Sequence, residues 1–159
     1  MPILSALKMA QGHKQERGEA IERLLHKATR AFDAELSARL RASGYTDIRR
    51  SHGAVFANID DSGTRPSDLA QRAGMTRPSM TELIDELEAN GYVARQVDEG
   101  DGRSRVVVLT RRGLRHRRDA RRIIEEMELD YRKLLGRPQM ECLRQALLRL
   151  ATFAESRAI

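Results

Sequence analysis

The sequence predicts a mainly α-helical fold with one small β-hairpin, formed as a single domain over residues 1–159. Three observations predict it. Apolar residues recur at spacings of three and four over most of the chain, which is the period of an amphipathic helix. Two short β-rich segments flank residues 98–104, where two glycines and two aspartates indicate a tight turn. The length of the chain suffices for one well-packed core.

The first predicted helix covers residues 19 to about 42 and follows a loosely ordered start. Gly44 comes just after it, and glycine readily adopts the left-handed conformation that ends many helices. Asp47 is predicted to cap the second helix, because an aspartate side chain can accept hydrogen bonds from the first free N–H groups of a helix. Residues 60–63, Asp-Asp-Ser-Gly, then predict a turn.

Two short helices joined by a glycine turn are predicted next. The first covers residues 66–73, and Gly74 ends it. Thr76 is predicted to cap the second, over residues 77–89, which ends at an Asn-Gly pair. Spacings of three and four within this second helix define the stripe that packs against the first. The stripe consists of Met80, Leu83, Ile84 and Leu87.

The hairpin strands are predicted at residues 92–97 and 105–109. Thr110 is then placed to cap a long helix over residues 111–135. A last helix is predicted from about residue 139 to residue 156, after a break at a glycine and a proline. It carries an apolar stripe that a small domain cannot cover alone, which predicts burial against a second copy of the chain. This stripe consists of Leu143, Ala146, Leu147, Leu150 and Phe153.

Helix, glycine turn, helix and hairpin, in that order, make a winged helix-turn-helix, here a lobe of about residues 47–110. In such a lobe the second helix enters the major groove of double-stranded DNA and the hairpin, or wing, approaches the minor groove. The helix residues predicted to bind DNA are Thr76, Arg77, Pro78, Ser79, Thr81 and Glu82. The wing residues predicted to bind DNA are Arg95, Arg103 and Arg105. Taken alone, both features also fit solvated surfaces.

Two aspartates in the turn, Asp98 and Asp101, are unexpected in a loop that approaches DNA. Asp101 is two residues from Arg103, so their side chains are predicted to pair and stiffen the wing. Both aspartates are therefore predicted to stabilise the wing. Another arginine then remains available to the minor groove, where negative potential attracts arginine.

The stretch DEGDGRSRVVVLTRRG resembles the wing signature of the MarR family of bacterial winged helix-turn-helix transcriptional regulators. That signature is Asp-Pro-x-Asp-x-Arg followed by Leu-Thr-x-x-Gly. Its fixed positions are matched by Asp98, Asp101, Arg103, Leu109, Thr110 and Gly113. Glu99 departs from the family's proline. The stretch LAQRAGMTRPSMTELIDELEANGYV resembles the family's helix-turn-helix.

The polar start of the chain does not fit a signal peptide, which predicts a cytoplasmic protein. The resemblance implies a homodimer, joined by helices at about residues 19–45 and 111–156. It implies a repressor that binds a pseudo-palindromic promoter site and is released by a small phenolic or aromatic carboxylate ligand. Candidate ligand-binding residues are Tyr45, Arg49, Ser51 and His52. The alternative for these residues is that Tyr45 and His52 connect helices while the arginines touch the DNA backbone.

The net charge of +6 favours a polyanionic partner, although charge alone is a weak signal. No nucleotide-binding, metalloprotease or nucleophile motif is present, so an enzyme is not expected, and neither is a cofactor, a metal or a membrane span. Two alternatives to a ligand-responsive regulator stay open. One is a winged-helix protein–protein adaptor, and the other is a regulator that senses oxidation through Cys142, the single cysteine.

Overall fold

The computed structural model describes residues 19–98 and 101–157, so the predictions for residues 1–18 lie outside the described part. We number the helices and strands in chain order. They are α1 (Ile21–Ala42), a 3₁₀ turn (Arg50–His52), α2 (Gly53–Asn58), α3 (Pro66–Arg72), α4 (Arg77–Ala89), β1 (Val93–Asp98), β2 (Asp101–Leu109), α5 (Arg111–Leu135) and α6 (Arg137–Arg157). The predicted fold class, mainly helical with a small hairpin, is confirmed.

Helix ends follow the local chemistry that predicted them. The side chain of Thr76 accepts a hydrogen bond at the start of α4, and that of Thr110 does so at the start of α5. Gly44 and Gly74 have φ angles of 94° and 61°, the left-handed region in which glycine is favoured. These residues therefore set where the helices begin and end before any tertiary contact forms.

Several predicted boundaries differ from the structure, and two of the differences have a clear local reason. β2 begins at Asp101 rather than at residue 105, because Asp101 pairs with Asp98 of β1 beyond an irregularity in the register after Val97. α6 begins at Arg137 rather than at residue 139. Pro138 lies in its first turn, where the missing N–H group has no partner in any helix and proline is tolerated.

The prediction that Asp47 caps a helix is wrong. Its carboxylate accepts hydrogen bonds from the hydroxyl group of Tyr92 at 2.7 Å and from the guanidinium group of Arg112 at 2.8 Å. The backbone N–H group of Arg49 donates instead to Nδ1 of His52. Asp47 thus joins the start of the lobe to α5, a role that depends on residues far away in sequence.

The core of the lobe lies between α2, α3, α4 and the hairpin. The stripe of α4 is buried as predicted, since none of its four side chains is more than 7% exposed. Thr64 pairs with Val107 through two backbone hydrogen bonds, so a short third segment lines the hairpin. Other buried members of this core are Val55, Ile59, Leu69, Tyr92 and Val93.

A second, smaller core joins α1 to α5. It is built on Leu40, Ile123 and Met127. By contrast, α6 has an exposed apolar face within the described part of the chain. The exposed residues on it are Leu143, Leu147, Leu148, Leu150 and Phe153. No described helix is both long enough and apolar enough to cross a membrane.

Candidate nucleic-acid interface

The N-terminal end of α4 presents a polar surface that faces away from the lobe core. Burial of the apolar stripe turns the predicted DNA-binding residues of this helix to solvent. All six are exposed: Thr76, Arg77, Pro78, Ser79, Thr81 and Glu82. A helix end of this kind offers hydrogen-bonding side chains for base edges and free N–H groups for phosphate.

Local hydrogen bonds order three of these side chains. The hydroxyl group of Thr76 donates to the Oγ atom of Ser79 at 2.9 Å and accepts from the Ser79 backbone N–H group at 3.3 Å. The hydroxyl group of Thr81 donates to the backbone carbonyl of Arg77 at 3.0 Å. The first turn is therefore held in one conformation, and both Ser79 and Thr81 keep an oxygen lone pair for a partner outside the protein.

Arg95, one of the residues predicted to bind DNA, also forms contacts within the protein. Its guanidinium group forms ion pairs with Asp85 and Glu88 of α4, and its backbone N–H group donates to Glu88 Oε1 at 2.9 Å. We call these contacts the wing ion pairs. They fix strand β1 against α4, so the helix and the wing keep one relative orientation. Sequence reasoning missed this role, because the three residues share no motif.

Of the two other predicted wing arginines, the structure describes the side chain of Arg105 but not that of Arg103. Arg105 is exposed on β2, opposite Val97 of β1. The backbone of β2 contains Arg103, but its side chain and those of Asp98 and Asp101 lie outside the described part. The predicted pairing of Asp101 with Arg103 therefore stays a prediction.

On the opposite side of α4, Glu86 connects the helix to the 3₁₀ turn. His52, which is 1% exposed, places Nε2 2.8 Å from Glu86 Oε2. Because Nδ1 of His52 accepts from a backbone N–H group, Nε2 carries the proton and donates to Glu86. The guanidinium group of Arg49 also forms an ion pair with Glu86. Burial, and then the charge of Arg49, lower the pKa of His52 and keep its imidazole neutral.

A cavity of about 500 Å³ opens between α1, α2 and α5, next to this ion pair. Its volume is in the range of small-molecule sites. Of the four predicted ligand-binding residues, Arg49 lines it, whereas Tyr45, Ser51 and His52 are not among its lining residues. The hydroxyl group of Tyr45 donates to Asp119 of α5 at 2.5 Å, and His52 binds Glu86. Tyr45 thus connects the loop after α1 to α5, and His52 connects the 3₁₀ turn to α4, while a ligand-binding role for either residue stays a prediction.

Comparison with known proteins shows which family the lobe is similar to. The family model described as the MarR family matches residues 36–104, which include the 3₁₀ turn, α4 and most of the hairpin. Over these residues the chain is similar to the MarR family. This match confirms the resemblance read from the wing signature.

The chain is also similar in part to proteins described as transcriptional regulators. The transcriptional activatory protein BadR of Rhodopseudomonas palustris is 36% identical over 92 residues, which are 57% of this chain and 48% of BadR. The chain spans less than half the length of the curated relatives it matches. The solved transcriptional regulator PA3341 is 28% identical, with a TM-score of 0.69, and the match covers 86% of this chain and 99% of that one.

CouR from Rhodococcus jostii RHA1, solved with p-coumaroyl-CoA, shares the fold at 23% identity and a TM-score of 0.69. That match covers 86% of this chain and 95% of CouR. CouR has also been solved with a 23-mer DNA duplex, and its TM-score is then 0.67. At this level of identity the likeness shows the shared fold alone.

His116 is a functional candidate that sequence reasoning did not select. It lies on α5, lines the cavity and is 3% exposed, and neither ring nitrogen has a hydrogen-bond partner within the described residues. Its ring packs 4.2 Å from that of Phe56 and 4.9 Å from that of Tyr45, measured between centroids. Burial lowers the pKa of His116 to about 4. No sequence signal could have found it, because its burial arises from three separate elements.

A neutral buried histidine makes stability depend on pH. In the unfolded chain His116 binds a proton near pH 6.5, whereas in the folded chain it binds one only near pH 4. The free energy of unfolding therefore falls as the pH is lowered from 6.5 to 4. We expect His116 to account for a loss on the order of 3 kcal/mol. His116→Leu should reduce that decline, measured by urea unfolding from pH 7 to pH 4. The same change at the exposed His26 should leave the decline in the free energy of unfolding unaltered. An equal decline in both variants would contradict the assignment of that decline to His116.

Proposed function

We propose that this protein is a dimeric, sequence-specific DNA-binding transcriptional regulator. The observation that carries the proposal is the connection of α4, whose N-terminal end is exposed, to strand β1 of the wing through the ion pairs of Arg95 with Asp85 and Glu88. Such a unit can bind a major groove and the neighbouring minor groove at the same time. The descriptions of BadR as a transcriptional activatory protein and of CouR as a repressor solved with DNA support it.

The dimer in this proposal is built by α6 together with α1 and α5. The apolar face of α6 includes Leu150 and Phe153, which are 50% and 59% exposed on the single chain. Exposure of several large apolar side chains along one helix is costly in water, and a second copy provides a matching surface. Two α4 helices related by a twofold axis would read a pseudo-palindromic site, with the half-sites about one DNA turn apart.

The cavity is proposed to bind a small aromatic or phenolic ligand that releases the protein from DNA. Apolar side chains and arginines line it together, which suits an aromatic ring with an acidic group. CouR, of the same fold, has been solved with p-coumaroyl-CoA.

We propose repression as the outcome of DNA binding. Because BadR is described as an activatory protein, mapping the site relative to the promoter tests this choice.

Selection of bound fragments from genomic DNA tests the DNA-binding proposal. We expect recovery of fragments that share one pseudo-palindrome, and an affinity for that duplex that falls steeply with salt as counterions are released. Failure to bind any duplex at low salt would contradict the proposal and favour a protein–protein adaptor. Repeating the selection with aromatic acids tests the ligand response.

Arg103→Ala should weaken binding to the selected duplex about tenfold or more, because each half-site loses a wing contact and the wing turn is disturbed. The slope of log affinity against log salt concentration should decrease in magnitude by roughly one for each arginine–phosphate contact that is lost. Fluorescence anisotropy over a range of salt concentrations measures both. Arg23→Ala removes the same charge at the exposed start of α1 and should leave affinity unchanged. Equal affinities of Arg103→Ala and the unaltered protein would rule out the wing assignment.

A further inference from the structure

Arg49 links the cavity to the DNA-reading helix. It is one of the residues that line the cavity, and its guanidinium group forms an ion pair with Glu86 of α4. The Arg49 side chain is 61% exposed, whereas the Glu86 side chain is 32% exposed. The arginine is therefore the more accessible partner and the one that a molecule in the cavity can reach.

The charges around the cavity favour an anion. Among the described residues that line it are four arginines and two carboxylates. Two of the arginines already have acidic partners, since Arg50 pairs at 2.6 Å with Asp33, which also lines the cavity, and Arg117 pairs with Asp61 outside it. The remaining surface is mainly apolar and suits a flat ring system. It consists of Leu36, Leu40, Ile48, Phe56, Ala57, Ala120 and Ile124.

We propose that the acidic group of an aromatic ligand in the cavity binds Arg49 and withdraws it from Glu86, and that loss of this ion pair lowers the affinity for DNA. The inference rests on the proposed function, because it assigns the residue through which that cavity acts on α4. Of the four cavity arginines, Arg49 alone pairs with a residue of α4 in the described structure.

Withdrawal of Arg49 changes α4 in two ways. Of the two polar contacts that Glu86 makes with Arg49 and the 3₁₀ turn in the described structure, only the hydrogen bond from His52 remains. Glu86 also keeps a negative charge that no cation neutralises, on the helix that approaches DNA phosphates. Both changes oppose DNA binding, and by linkage the DNA-bound protein must bind the ligand more weakly by the same factor.

The first test compares two probes of one shape, 2-naphthoate and its uncharged amide, 2-naphthamide. Saturating 2-naphthoate should raise the dissociation constant of the selected duplex about fivefold or more, a usual size for allosteric coupling. The amide should bind more weakly and leave DNA affinity unchanged. Equal release of DNA by the two probes, or no binding of 2-naphthoate at millimolar concentration, would overturn the inference.

Glu86→Gln separates the relay, which is the withdrawal of Arg49 from Glu86 by the ligand, from ligand binding alone. The amide oxygen of glutamine can still accept from His52, but it no longer holds Arg49 by charge. We expect this variant to bind 2-naphthoate several-fold more tightly, while its DNA affinity becomes insensitive to the probe. Glu125→Gln is the matched control, because it removes an acid that lines the cavity but does not pair with Arg49. It should keep the full effect of 2-naphthoate on DNA affinity, and an unchanged effect in Glu86→Gln would overturn the relay.

His52 provides a readout in the unaltered protein. Its pKa is held down by burial and by the charge of Arg49, with Asp47 acting in the opposite direction. Withdrawal of Arg49 should shift the NMR titration of the His52 ring to higher pH with 2-naphthoate and not with the amide. An unmoved titration with bound 2-naphthoate would contradict the relay. Failure of the duplex to bind without any probe would instead contradict the proposed function.

Discussion

Leu147→Glu is expected to convert the dimer into monomers and to weaken binding to a palindromic duplex by about a hundredfold or more. Leu147 lies on the apolar face of α6 and is 41% exposed on the single chain. Burying a carboxylate at that position between two copies, without a partner, costs several kcal/mol. Without the dimer, the two half-sites no longer act together, and linked binding usually exceeds single-site affinity by a factor of about 10² to 10⁴.

Analytical ultracentrifugation measures the mass of Leu147→Glu, and anisotropy measures its affinity for duplexes with one or two half-sites. Gln145→Glu introduces the same group on the same exposed helix, off the predicted apolar stripe, and should remain dimeric. Circular dichroism shows whether the variant keeps its helices. A folded Leu147→Glu dimer with unchanged affinity would contradict the α6 interface.

Gly113→Ala is expected to lower the free energy of unfolding by about 3 kcal/mol, the upper part of the usual cost of overpacking. A Cβ atom at this position would lie 2.1 Å from the backbone oxygen of Tyr92 and 3.0 Å from a methyl carbon of Leu109. That oxygen cannot retreat easily, because it accepts hydrogen bonds from the N–H and hydroxyl groups of Thr110. The start of α5 must therefore move away from the hairpin.

Thermal unfolding measures this change, and for a chain of this size the midpoint should fall by roughly 6 to 12 °C. Gly53→Ala is the matched control. Gly53 has a helical φ of −55°, and a Cβ atom there would meet nothing within 4 Å. The control should be neutral or stabilise by up to about 1 kcal/mol. Similar unfolding midpoints for the two variants would show that position 113 tolerates a side chain.

Gly113 also shows why part of the fold could be predicted. The family resemblance included this glycine as a fixed position, and the structure gives the reason, a helix start packed directly on a backbone carbonyl. Thr76 and Thr110 could be placed as caps because capping involves residues three positions apart. Such short-range chemistry leaves a clear pattern in the sequence.

The candidate site was harder to predict. Arg95 looked like Arg105, a basic residue of the wing, yet only its position against α4 engages it with Asp85 and Glu88. Tyr45 and His52 looked suited to a ligand, but packing turns each toward an acidic partner on another helix. Cys142 is exposed on α6, and its proposed oxidation-sensing role stays an open alternative.

The sequence by itself determined the order of helices and hairpin, the capping residues and the apolar stripe of α4, because spacing and turn chemistry act over a few residues. Only the tertiary structure decided which charged groups are paired and which are available. Glu86 and Arg49 are 37 positions apart, and His116 is buried by rings from other elements. A charged side chain can be a DNA contact or a connection between helices, and its partner, brought near by packing, selects between the two.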